Sequence, residues 1–460
     1  MSTTSAKSEQ LRSLIRLLTD ASERVIQSWE ADDAASTQEQ SSEKVYLQGS
    51  PLPSNELFEA RRTVVGAAGM VMDLVQEPQS RLMEICSQYY EARALHIAVE
   101  KRVADLLADA DPAQGVPLID LSRQTGIKEQ KLGRVLRCLC TVHVFVEVRP
   151  DHFANSFTSK ALIGNDFLRA WIMSMGQIQY SSSNKLPEVL FDPVRGQSES
   201  DLDCAFQEAA GTKLTWWEWL RQPIQKADGS TGPRPDLEIF NLAMIGGGRV
   251  FGPPLYGDYP WATLGSATVV DVGGGIGGMS LDLAKKFPNL KFVVQDRSPV
   301  IAQARAVWQR EQPDALESQR TQLMAHDFFA EQPVKGAEIY NLRYILHDWD
   351  DEACVRILSS IRPALVGSPN SRILVCDQVM NTTCGSPSIS SAPAPLLANY
   401  GYAVRFAHMR DLNMMAEFNG RERTPEDLQT LAKRSGLQVS KIWPCRGLVW
   451  ITELRILDDA

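Results

Sequence analysis

Residues 267–299, ATVVDVGGGIGGMSLDLAKKFPNLKFVVQDRSP, constrain the fold of this chain more than any other stretch. Val269, Val270 and Val272 predict a strand over Thr268–Val272 that is apolar without alternation, as a strand covered on both faces must be. A glycine turn follows, then a helix over Met279–Lys286, then a second strand over Lys291–Gln295 that ends at Asp296. Strand, helix and strand in that order form a βαβ unit, which requires a parallel sheet with helices on its faces. Beyond it, short apolar strands keep alternating with helical patterns. The expected class is therefore α/β, a Rossmann-like domain with a parallel-rich sheet.

The turn also carries chemistry. Gly273, Gly275 and Gly277 remove side chains where a nucleoside must lie against the backbone. Asp296 stands at the tip of the second strand, about 25 residues beyond Asp271, where an acid accepts hydrogen bonds from ribose hydroxyls. Gly273, Gly275 and Gly278 equally satisfy the dinucleotide spacing, so an NAD-dependent oxidoreductase stays open. Pyrophosphate favours bare amides at a helix N-terminus. Asp271, immediately before the loop, suits a cationic ligand instead, such as the sulfonium and amino-acid end of S-adenosylmethionine.

The rest of the chain divides by pattern. Residues 1–60 read as an amphipathic helix over 8–30 (Leu11, Leu14, Ile15, Leu18, Val25, Ile26) followed by a flexible linker, ADDAASTQEQSSEK. Residues 61–165 read as helical with a winged-helix pattern: helix, turn at Gly126, helix, then a β-rich tail. Residues 166–250 are linker helices rich in aromatics, including Trp216, Trp217 and Trp219. Pro253, Pro254, Gly257 and Pro260 then mark a break near 250, and 251–460 is the expected catalytic domain. A winged helix raises DNA binding, but Leu132, Val135, Leu136 and Leu139 give its second helix a core-packing face. The net charge of −9 also opposes nucleic acid and anionic membrane as partners. No apolar run approaches the ~20 residues that span a bilayer. The eight cysteines form no C-x-x-C pair, so no metal site is expected, and reduced thiols place the protein in the cytoplasm.

The motifs VVDVGGGIGG, FPNLKFVVQD, AHDFF, LHDWDD and NGRERTPEDLQTLAKRSGL occur in the order seen in class I S-adenosylmethionine-dependent O-methyltransferases. The resemblance is to the plant caffeate and fungal polyketide type, over roughly 90–450. It implies a homodimer built on the winged-helix region and a phenolic small molecule, plausibly of polyketide type, as acceptor. It implies that Gly273, Gly275 and Gly277 hold the cofactor, that Asp296 takes the ribose, and that Asp327 and Phe328 receive the adenine. Arg343 falls where the family commonly has a lysine. A same-fold enzyme that binds the cofactor without transferring methyl, a pericyclase for instance, is the alternative.

His347 in YILHDWDD, one of six histidines, is set at the end of an apolar strand. A phenol of pKa about 10 is a poor nucleophile when neutral, and a histidine near 6.5 can remove its proton as attack proceeds. A carboxylate on the other ring nitrogen fixes the tautomer. The resemblance pairs this histidine with acids at Asp377, one methylene shorter than the common glutamate, and at Glu422, just before a helix capped by Thr424. Adjacent strand side chains point to opposite faces, so Asp348 is not expected on the imidazole. Phe240, Met244, Trp349, His408, Met414 and Met415 fall at the family's acceptor-pocket positions. The Ser/Pro-rich insert at 381–401 reads as a surface loop or lid.

Overall fold

The computed structural model of the chain describes residues 3–36, 52–226 and 228–457. Its carboxy-terminal half is built on seven strands: β1 (Thr268–Val272), β2 (Lys291–Asp296), β3 (Thr321–Ala325), β4 (Ile339–Arg343), β5 (Arg372–Asp377), β6 (Leu437–Trp443) and β7 (Trp450–Ile456). They lie in the order β6-β7-β5-β4-β1-β2-β3, with β7 antiparallel to both of its neighbours and β1 to β5 mutually parallel. Residues 269–271 of β1 pair with 339–341 of β4 on one side, and β1 pairs with β2 on the other. The strand order therefore reverses between β1 and β4. That reversal opens a crevice beyond their carboxyl ends, where the glycine turn leaves β1 and the YILHDWDD stretch leaves β4.

Both sheet faces are covered, which explains the unbroken apolar strands. One face packs Trp261, Trp308, Phe292 and Ile451, and the other Tyr340, Leu342, Ile357 and Leu431. Each such side chain stabilises the fold by about 1.5–3 kcal/mol on burial.

The amino-terminal helix α1 (Thr3–Ser36) buries Leu14 and Val25. It runs past the 8–30 span into the first residues of the expected linker; the linker's remainder lies outside the described residues. Helix α2 (Asn55–Val75) packs against it and is capped by Ser54, whose Oγ accepts the Leu57 N–H at 3.0 Å. Helices Leu118–Thr125 and Glu129–Thr141 meet at Gly126 (φ 72°) and are followed by a hairpin, Phe145–Arg149 with His152–Asn155. Leu121, Leu132, Leu136 and Leu139 close a core with Phe145 and Phe153, while Arg137 is tied to Glu147 and Asp151.

One expectation changes. The break falls later than expected: α3 (Pro235–Asp258) carries the chain through residue 250 with Pro253 and Pro254 inside it, and ends before Tyr259 and Pro260. Each proline forfeits one helical bond, but Pro254 and Leu255 are buried, and packing outweighs the local penalty. The 381–401 insert is a surface loop, as expected, and it is tethered. Its Leu396 and Tyr400 pack on Leu14 and Ala67, the Tyr400 hydroxyl donates to Glu59 at 2.5 Å, and Arg62 lies 3.8 Å over the Tyr400 ring.

Candidate active site

The glycine turn enters α4 (Gly278–Lys286) through three left-handed residues, Gly273, Gly275 and Gly277. A Cβ on Gly273 would strike Ile345 at 2.6 Å, with the Phe328 ring at 3.4 Å, whereas one on Gly275 would point into open space. The bare backbone of Gly275 thus faces the crevice. Asp296, at the end of β2, accepts the Gly275 N–H at 2.9 Å and the Arg297 N–H at 2.7 Å. Asp327 is exposed and accepts the Phe329 N–H at 3.0 Å, leaving the Phe328 ring beside Gly273. Arg343 has its Nε buried without a hydrogen-bond partner, and its guanidinium reaches 5.2 Å over the Tyr344 ring.

Asp271 is a correction. It is only 2% exposed, and both its oxygens are engaged inside the fold, by Ser280 Oγ at 2.6 Å and Asn341 Nδ2 at 3.0 Å. Burial raises its pKa against those bonds. Its carboxylate braces the loop from behind and presents no free oxygen to a cation.

His347 lies in a short 3₁₀ turn, Leu346–Asp348, and is buried. It does not cap the following helix α5 (Asp351–Ile361), whose N-cap is Asp350, accepting the Ala353 N–H at 2.7 Å. The imidazole Nδ1 sits 2.9 Å from Glu422 Oε1. Asp348 lies 3.3 Å from Nε2, because a turn, unlike a strand, lets adjacent side chains converge. Burial would lower the His347 pKa, but Glu422 and Asp348 outweigh it and raise it to about 9. Burial also raises Asp348 and Asp377 to about 6.

Asp377 makes no hydrogen bond to His347. Its Oδ1 accepts the backbone N–H of Tyr344 at 2.9 Å. Tyr344 has φ 54°, unusual for a bulky residue, and its ring stacks on the imidazole with centroids 5.4 Å apart. The shortened acid therefore bonds the strained residue whose ring supports the histidine, and acts on the imidazole itself through its charge alone.

The six expected pocket residues do not form one wall. Phe240 and Met414 join the cluster of Trp216, Trp217, Trp219 and Phe418. Met244 is 40% exposed. Trp349 packs against Phe329 at 5.1 Å and Phe328 at 6.0 Å, on the side expected for the adenine rather than the acceptor. Met415 lies one residue from Met414 on α6 (Arg405–Phe418), half-buried. His408, near the start of α6, is exposed and 3.4 Å from Asn399.

Three residues escaped the sequence reading. Arg423, 3% exposed, donates to the carbonyls of Leu346 at 2.5 Å and Trp349 at 2.7 Å and pairs with Asp351 at 3.0 Å, clamping the turn that carries His347. Gly420 approaches so closely that a Cβ there would meet the His347 carbonyl oxygen at 2.1 Å. Gln378 donates to Glu422 Oε1 at 2.5 Å, so that one oxygen serves both amide and imidazole. Gly420 and Arg423 flank Glu422 within NGRERT, and that adjacency was the available signal.

A loop stripped of side chains, a carboxylate at the tip of β2, an aromatic ring beside the loop and a cation with an unused N–H fit a nucleoside carrying an amino acid. This is the class of a cofactor-dependent transferase with an acid–base pair at its crevice. Residues 261–438 match the O-methyltransferase domain family. O-methyltransferase gedA of Aspergillus terreus is 48% identical over 426 residues, 87% of this chain and 87% of that protein. O-methyltransferase tpcA of Aspergillus fumigatus is 44% identical over 96% of this chain and 95% of its own. Among solved structures, CalO1, a methyltransferase of calicheamicin biosynthesis in its SAH-bound form, aligns with TM-score 0.63 and 26% identity over 83% of this chain and 100% of that one. The chain belongs to the S-adenosylmethionine-dependent O-methyltransferase family, and S-adenosylmethionine is its cofactor.

Proposed function

We propose that the protein methylates a phenolic or enolic hydroxyl of a polyketide-type small molecule, with His347 as general base. The observation that carries this reading is the buried His347–Glu422 pair at the crevice that the glycine turn also lines. The bound cofactor supplies an electrophilic methyl on a sulfonium. His347 Nε2 would take the proton of the acceptor hydroxyl and so leave its oxygen nucleophilic. Glu422 holds Nδ1–H and offsets the imidazolium charge, and Asp348 offers a second carboxylate at Nε2. Asp296, Asp327, Phe328, Arg343 and the three glycines are the residues assigned to hold the nucleoside and its amino-acid end.

The high His347 pKa means that at neutral pH the free site favours imidazolium, so proton removal improves as pH rises. The test is mass spectrometry of phenols incubated with the protein and cofactor labelled at the methyl. A product heavier by one labelled methyl is expected. Cofactor binding with no methylated phenol would favour the non-methylating alternative.

The domain limits near 60 and 165 belong to the same proposal, as does a homodimer. Supporting the dimer, helix Pro78–Ser87 has no buried residue, and Leu82, Met83 and Tyr90 are 67%, 70% and 62% exposed. All eight cysteines are unpaired, which supports a cytoplasmic setting, and no helix among the described residues is long and apolar enough to cross a membrane.

A further inference from the structure

His347 Nε2, the nitrogen that has to receive the acceptor's proton, faces Asp348 Oδ1 at 3.3 Å. An imidazolium holds that carboxylate, but a neutral imidazole presents a lone pair there and repels it. Nε2 is therefore free to act only once Asp348 has another partner. Among the described residues, His347 is the one cation within ion-pair distance of Asp348. Burial raises the Asp348 pKa to about 6 against the pull of two cations, His347 and Arg410, while Glu422 pushes it up further. Arg410 stands on α6, which lies against the Leu346–Asp348 turn, and its neighbour Asp411 accepts the Glu422 N–H at 2.8 Å. The Arg410 side chain is half-buried and forms no ion pair among the described residues. Its guanidinium has Asn413 Oδ1 at a long 3.4 Å and the Trp171 ring, whose centroid is 5.4 Å away. Trp171 comes from the helix Asp166–Ser174 and packs edge-on against Phe251 at 5.7 Å. A cation held by one ring and one long bond exchanges these readily for a carboxylate.

Resting on the methyltransferase reading above, we propose that Arg410 is a positioning residue that receives the Asp348 carboxylate when His347 is neutral and so clears Nε2 for the acceptor hydroxyl. While His347 is an imidazolium, it keeps Asp348 at Nε2, and the guanidinium rests on Trp171, the arrangement of the structure. Loss of the imidazolium proton turns attraction at Nε2 into repulsion, and Asp348 pairs with Arg410 instead. Once His347 has taken the acceptor's proton, the new imidazolium draws Asp348 back. Glu422 stays on Nδ1 throughout, so the ring keeps its place while the carboxylate at its other nitrogen changes partner. Arg410 touches neither acceptor nor cofactor. It acts through Asp348.

The experiment is a double-mutant cycle over Arg410→Met and Asp348→Asn, read as pH–rate profiles for a methylated phenol, with S-adenosylhomocysteine affinity measured on each variant. Arg410→Met strands Asp348 on Nε2. The rising limb of kcat should then move up by about one pH unit, lowering kcat near pH 7 by about tenfold with KM and cofactor affinity unchanged. Asp348→Asn removes the competing carboxylate and should move the limb down. In that background Arg410→Met should shift the limb by no more than about 0.3 unit, since no carboxylate is left to receive and only its distant charge is lost. A structural role, or a direct effect on the acceptor, gives the same loss in both backgrounds, and that result would overturn the proposal. So would an Arg410→Met limb that stays in place. If no phenol is methylated, the methyltransferase reading fails, and the cycle is read instead from the His347 ring nitrogens by NMR titration, with the signal assigned by its loss in His347→Ala. There the same dependence of the Arg410→Met shift on Asp348 is expected, and equal shifts in both backgrounds would overturn the proposal on its own.

Discussion

At the scale of single residues, the acids around His347 divide their work by what they touch. Glu422 bonds the imidazole, so Glu422→Gln should lower kcat by roughly tenfold, less than the ~10²-fold or more due to the base itself. Removing that negative charge also lowers the His347 pKa, so the rising limb of the pH–rate profile should move to lower pH. A limb that stays in place or moves up would contradict the assigned pair. Asp377 bonds the Tyr344 N–H, a task a neutral amide oxygen can perform. Asp377→Asn should therefore keep activity within about threefold, whereas Asp377→Ala, which leaves the N–H of this strained residue only its longer bond to the Cys376 carbonyl at 3.3 Å, should lose more, at a cost of about 1 kcal/mol. Equal losses in both variants would restore a charge role for Asp377. His347 stood out in the sequence as the proposed base through the glycine loop, the motif order and the two acids taken together. The detour of Asp377 through Tyr344 was not, because no sequence pattern announces a left-handed tyrosine.

At the scale of elements, the βαβ unit was readable almost residue for residue, since a strand built on Val269, Val270 and Val272, a glycine turn and a helix have few other uses. The predicted Thr268–Val272 strand is the observed one, and the Thr424 cap is in place, with Thr424 and Asp427 bonding reciprocally. The prolines of α3 misled because burial of Pro254 and Leu255 outweighs local propensity. The pocket residues misled for a related reason: Trp349 follows a turn, and its direction depends on Phe328 and Phe329, which come from another loop. The His347 turn has its own test. Gly420→Ala would force the turn away from Gly420, so activity should fall by about 10²-fold with cofactor binding preserved, a misplacement of an ångström being enough. Wild-type activity in that variant would mean that the turn is not held where the structure has it.

At the scale of the whole molecule, the glycine turn and His347 share one crevice because the strand order reverses between β1 and β4, while α1 and α2 hold the insert. Burying His347 among acids gives stability a sign with pH. The His347 pKa is raised from 6.5 to about 9, so its contribution is full below 6.5 and lost as pH climbs through 9. Asp348 and Asp377, raised from 3.8 to about 6, lose theirs as pH climbs through 6. The melting temperature should therefore fall between pH 6 and 9.5, and a flat or rising Tm over that window would contradict the electrostatics described. Light scattering at micromolar concentration should give twice the mass of one chain, and a monomer would refute the dimer. The most direct test of the central claim is methyl transfer by His347→Ala from pH 6.5 to 10, with S-adenosylhomocysteine affinity measured alongside. The account predicts unchanged affinity, a fall of roughly 10²-fold or more near neutral pH, and partial recovery as the phenol ionises by itself near pH 10. Full activity of His347→Ala at pH 7 would show that this histidine takes no proton.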